Sequence, residues 1–298
     1  MHWLTLALIA PFIYALVNLI DDNLLRTVYK SSYVATIISG LFGGVPLLAL
    51  MFKSLGPFSD KFAAIAVLVG FLTVVFYYNY FRSLEKEHPS VVVSLIGTSP
   101  VLIAALAYVF LGERLSGLQF AGLLLVLIGS LGLSYNRHEK LKLTPSIKHV
   151  IYAAVVVSVY SILAKYIYQN VDFYTGYMFL SLGMLIGGLV FLIRLRMVES
   201  EASIHKLRKT VKKYWALFLV TELLGLLAEF IMNLAISRGP LTPVRVIENI
   251  QPVYVILIAA VLFPFRPNLS REISEGGLAR KLLLICVCAI GLGLVGLD

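Results

Sequence analysis

The chain has 298 residues, of which 59% are apolar and 14% charged, a balance that excludes a soluble globular domain. A net charge of +9 would point a soluble protein toward nucleic acid. Here the basic residues cluster between apolar runs, so lipid headgroups and membrane orientation account for them and nucleic acid does not.

Ten apolar spans are predicted, near residues 3–20, 33–52, 62–81, 90–111, 118–135, 150–168, 174–193, 215–236, 242–263 and 281–297. At 1.5 Å per residue, runs of about twenty residues match a hydrocarbon core ~30 Å thick. The runs are continuously apolar rather than alternating, so they read as helices, and an open sheet edge has no place in lipid. The first span lacks a basic leader and an Ala-x-Ala site, so no cleavable signal peptide is expected.

In the first span Tyr14, Asn18 and Asp22 share a face, with Asp21-Asp22 expected at the interface. Gly40 and Gly44 in the second let helices approach closely, as do Gly183 and Gly187 in the seventh. Tyr77, Tyr78, Asn79 and Tyr80 close the third span, where an aromatic belt is expected. Pro89 opens the fourth span and Gly112 ends it, placing Glu113-Arg114 at the water interface. Lys165 lies near an end of the sixth span, positioned to snorkel or to bind a ligand. The basic stretch 194–214 fits either an interfacial helix on anionic lipid or a solvated loop.

The eighth span is the most polar. Glu222, Gly225, Leu226, Glu229 and Asn233 recur at helical spacing on one face. Its two carboxylates lie about 10 Å apart along the axis, too deep to snorkel. They are either functional or a neutral or ion-paired lock between helices. In the ninth span Thr242, Arg245, Glu248, Asn249 and Pro252 stand out. Arg245 and Glu248 are three apart and can pair, while Pro252 frees a carbonyl near Glu248. Cys286 and Cys288, two apart on the tenth span, suit neither a mutual disulfide nor a zinc site and read as buried thiols.

The spans repeat. The second and seventh match at an offset of 143, the fourth and ninth at 152, and the fifth and tenth at 162. Two loops, around 194–214 and 264–280, are therefore longer in the second copy. The fold class is an all-α integral membrane protein of ten transmembrane helices, in two repeats spanning 1–140 and 145–298. Five spans per repeat is an odd number, so the second must be inserted inverted, which places a site near the membrane midplane between the repeats.

Ser83-Leu84, Pro89-Ser90, Ser99-Pro100 and Leu-Gly-Glu-Arg-Leu-Ser at 111–116 carry a resemblance to a known family. The segment resembles the EamA-type half-repeat of the drug/metabolite transporter superfamily. The second copy resembles a subgroup with Gln251-Pro252 in place of Ser-Pro, and with Pro264-Phe265 where Gly-Glu stands in the first. Glu272 is a candidate stand-in for the lost acid under this resemblance, at a different spacing. The resemblance implies a transporter whose cargo falls among amino acids, sugars, nucleotide derivatives and drugs.

The candidate substrate- or ion-binding residues are Glu222, Glu229, Asn233, Arg245, Glu248, Asn249, Tyr14, Asn18 and Lys165. Three carboxylates against one guanidinium favour a cationic or zwitterionic solute. At least one of the three acids is expected to hold a proton in a closed, empty cavity, with Glu229 the favoured carrier. No histidine lies mid-span and no phosphate-gripping glycine loop is present, so no metal, no cofactor and no nucleotide hydrolysis are expected. The expected activity is secondary transport and not catalysis. A rival reading is an intramembrane lipid-modifying enzyme using Asp21-Asp22, although a second aspartate motif is missing. Another is a lipid-carrier flippase of the same fold. The expected partners are a small-molecule substrate and the lipid bilayer, with the chain a monomer or homodimer. Lysine and arginine concentrate in the loops after odd-numbered spans, which predicts a multi-pass plasma-membrane protein with those loops in the cytoplasm.

Overall fold

The computed structural model describes residues 2–24, 31–85, 92, 95–134, 147–198, 201–262 and 278–296. Among these residues every regular element is a helix. In chain order they are α1 (Trp3–Leu24), α2 (Ser32–Phe42), a 3-10 segment (Val45–Met51), α3 (Asp60–Leu84), α4 (Ser99–Leu111) and α5 (Gly117–Ser134). The second half follows with α6 (Ile147–Asn170), α7 (Phe173–Val198), α8 (Glu201–Arg238), α9 (Leu241–Glu248), α10 (Gln251–Leu262) and α11 (Leu278–Gly296). Among the described residues seven helices are long and apolar enough to cross a membrane, and three shorter apolar ones cover Trp3–Asn18, Ser99–Leu111 and Gly117–Leu133. Large apolar side chains such as Val109, Phe110, Val261 and Leu283 point outward, the surface that lipid covers.

Each repeat breaks one helix before a proline. Pro100 and Pro252 cannot donate to a carbonyl one turn back, so the chain tightens there. The Thr98 amide reaches the Leu95 carbonyl at 3.2 Å, and Asn249 and Ile250 reach Val246 and Ile247 at 3.1 and 3.0 Å. The ninth span is thus two helices, α9 and α10, and not the single one expected from its apolar run. Gly112 ends α4 in the left-handed region at φ 67°, the conformation that glycine adopts most readily.

Contacts between equivalent residues mark a pseudo-twofold axis. Asn249 donates to the Gly97 carbonyl at 2.7 Å, across a separation of 152 residues. Gly122 on α5 abuts the Gly291 carbonyl on α11, and Gly129 abuts the Leu284 carbonyl. An offset of 162 carries one of these contacts into the other.

One expectation is corrected, that of a buried Cys286, and one alternative is decided, that of a helix at 194–214. The stretch 194–214 is largely helical: α7 runs to Val198 and α8 starts at Glu201, bending at Tyr214 where φ is −114° and ψ is 19°. Cys288 is buried, but Cys286 is exposed, because a lipid-facing helix surface is as apolar as its packed one. Asp21 and Asp22 continue α1, but their side chains lie outside the described residues, as do Pro89, Ser90, Pro264, Phe265 and Glu272 altogether.

Candidate functional site

A chain of hydrogen bonds crosses the centre of the molecule from α1 to α8 to α6. Tyr14 donates its hydroxyl to Glu229 Oε2 at 2.7 Å. Asn233, one turn further along α8, donates Nδ2 to Glu229 Oε1 at 2.8 Å. Tyr168 on α6 donates in turn to Asn233 Oδ1 at 2.9 Å. Glu229 is only 7% exposed, so these bonds are what lets an acid remain there. Tyr77, Tyr160 and Tyr177 also lie within electrostatic reach of its carboxylate. Asn18 is half-buried one turn beyond Tyr14 on α1.

Arg245 and Glu248 form the ion pair that their spacing predicts, at 2.7 Å. The two ends differ: the Arg245 side chain is 6% exposed and that of Glu248 27%. The Arg245 guanidinium sits 5.5 Å from the centre of the Tyr160 ring. Its buried Nε has no hydrogen-bond partner among the described residues, and the ring face beneath it is a partial substitute. Thr242 is buried in the first turn of the same helix, and Asn249 turns to Gly97 at its end. Glu222 lies two turns before Glu229 and accepts from Ser39 Oγ of α2 at 3.0 Å.

Two charged residues do something other than what their positions in the chain suggest. Lys165 donates Nζ to the carbonyls of Ile236 and Gly239, at 2.9 and 2.8 Å, satisfying acceptors at the end of α8. Glu113 does not sit free at the water interface. Its carboxylate accepts the backbone amides of Leu241 and Thr242, both at 2.8 Å, and so caps α9 from the other repeat. Asn79 is buried too, bonding the Val75 carbonyl and His149 at 2.9 and 3.0 Å.

Tyr77, Tyr160, Tyr168 and Tyr177 were not on the predicted list of site residues. Tyr77 was expected as an interfacial anchor, yet it faces the interior with the cluster around Tyr160 and Tyr177. Pseudo-symmetry offers the missed signal, since an offset of 152 places Tyr77 on Glu229.

A model described as the EamA-like transporter family matches residues 1–135 and 145–274. One solved crystal structure superposes over 99% of this chain and 98% of its own, with a TM-score of 0.73 at 17% sequence identity, a likeness of fold alone. No curated protein matches the chain in sequence.

Proposed function

The chain belongs to the EamA-like transporter family, and from that premise we propose that it is a secondary transporter of a small organic solute, with Glu229 carrying the coupling proton or cation. The reading supposes all ten apolar runs crossing the plasma membrane as two inverted repeats, with the odd-numbered loops cytoplasmic. A C-terminal fluorescent fusion that glows strongly in the cytoplasm would contradict that orientation.

The observation that carries the proposal is the bridge from Tyr14 to Glu229 to Asn233. It joins a side chain of the first repeat to the most buried acid among the described residues of the second. A tyrosine hydroxyl can donate to a carboxylate or accept from the protonated acid, so Tyr14 can follow a proton on and off Glu229 without leaving it. Nearby, Glu248 is tied to Arg245, so its charge is already compensated. Glu229 is the buried acid on this face of α8, which favours a cation or zwitterion.

The test begins with a thermal-shift screen of detergent-purified protein against a metabolite library. The hits are then assayed for uptake into liposomes with and without a proton gradient. Glu229→Gln should keep the fold and solute binding while uptake loses its dependence on the gradient. If Glu222→Gln and Glu229→Gln, alone and together, leave pH-dependent uptake unchanged, the acids are structural. Covalent turnover of a lipid in sealed vesicles would refute transport as the activity.

A further inference from the structure

α9 is covalently part of the second repeat, but both of its ends are hydrogen-bonded to the first. At its start, both oxygens of Glu113, from the loop after α4, accept the amides of Leu241 and Thr242 at 2.8 Å. At its end, Asn249 donates to the carbonyl of Gly97, just before α4, at 2.7 Å. The two ties therefore lie at opposite ends of α4. Between them Ile103 and Ala107 of α4 share a fully buried core with Leu241, Val244 and Ile247 of α9, a core that Met232, Ala235 and Ile236 of α8 also enter. Every residue from Leu241 to Val246, and Ile247 after it, is buried.

The end of α8 is anchored differently. Lys165 of α6, in the same repeat, holds the carbonyls of Ile236 and Gly239. The link between the two anchorages is Gly239-Pro240, where Pro240 is extended at φ −63° and ψ 139°. Pro240 has no amide proton, so no helical hydrogen bond from that residue joins α9 to the end of α8. At the offset of 152 the residue equivalent to Glu113 is Phe265, which carries no carboxylate.

We propose that α9 moves with α4 as one body, that Glu113 and Asn249 are the positioning residues that lock it there, and that the repeats turn against each other at Gly239-Pro240. Arg245 and Glu248 then travel with the first repeat, whereas Glu229 stays with α8. The spacing between the ion pair and the coupling acid changes during the cycle, which is how one side of the site senses the other.

Two measurements test this. In hydrogen exchange of the purified full chain, Glu113→Gln removes the charge and one acceptor from the cap. Exchange in peptides covering 241–249 should rise roughly tenfold, with α8 unchanged and the exposed neighbour Arg114→Gln as control. No change, or an equal rise across α8, overturns the proposal. The second measurement leaves Glu113 in place and rests on the transporter reading. With Cys286→Ser and Cys288→Ala as background, a disulfide between Gly97→Cys and Asn249→Cys replaces the hydrogen bond with a covalent tie. Oxidised protein should take up solute within about twofold of reduced protein, since the tied parts do not separate. Uptake that stops on oxidation and returns on reduction overturns the proposal. If the parent chain moves no solute in the same vesicles, that counts against the transporter reading, and the exchange result then decides alone.

Discussion

Gly70 and Glu222 occupy equivalent places in the two repeats, 152 residues apart, and the helices around them pack differently. At Gly70, α3 meets α7 backbone to backbone: a Cβ there would lie 1.9 Å from the Leu180 carbonyl oxygen. Gly183 on α7 completes the seam, its own Cβ position only 2.0 Å from the Val67 carbonyl. In the other repeat, α8 and α2 meet through side chains, with Glu222 reaching across to Ser39. One turn on, Gly225 has nothing within 4 Å of where a Cβ would be. The same scaffold is thus shut tightly along one seam and held apart by a carboxylate along the other. The chemistry divides likewise: Tyr77 stands opposite Glu229, and Ile96 opposite Glu248. An inverted repeat needs two copies of a shape, but only one of them has to carry charge.

The strongest way to break this comparison is to make the second repeat resemble the first. Arg245→Ala alone strands Glu248 and exposes the ring face of Tyr160, and it should cost about 3–5 kcal/mol of stability. Replacing both partners with the residues of the first repeat, as Arg245→Val with Glu248→Ile, should restore most of that loss, because an apolar pair carries no desolvation penalty. Thermal unfolding in detergent checks both variants. If the double variant is no more stable than Arg245→Ala, the pair holds the fold and is not a charge retained for function.

Much of this contrast was legible in the sequence, and the reasons for the rest are physical. Continuous apolar runs located the helices, and the spacing of Arg245 and Glu248 gave the ion pair. The shared face of Glu229 and Asn233 was likewise visible, because one helical turn separates them. The cap by Glu113 was not, since its partners are backbone amides of another helix and leave no trace in residue type. Nor was the inward turn of Tyr77, because a tyrosine near a span end is as ordinary in an aromatic belt as in a polar interior. The helical form of 201–214 was only half visible. Its basic and apolar residues suit a helix on lipid headgroups, but a solvated loop needs much the same composition.

The smallest effect separates the two seams most cleanly, because the same class of change should act in opposite directions. Gly70→Ala puts a methyl group where a backbone carbonyl already sits, and backbone cannot yield as a side-chain tip can. Overpacking of this kind should cost about 1–3 kcal/mol, even after the gain in helix propensity. Gly225→Ala meets no atom, and its backbone is ordinary helix, since Gly112 is the one positive-φ glycine among the described residues. The extra methyl should then stabilise α8 by about 0.5–1 kcal/mol, through the lower conformational entropy of the unfolded chain. Its counterpart Thr73 is buried and returns its hydroxyl to the Val69 carbonyl at 3.0 Å, so that position is already filled. Melting temperatures of the two alanine variants, measured side by side, give the sign of each effect. A Gly225→Ala variant that melts lower than the parent would mean that α2 and α8 close over this position in the dominant state. The open seam would then be the minor arrangement and the closed one the resting form.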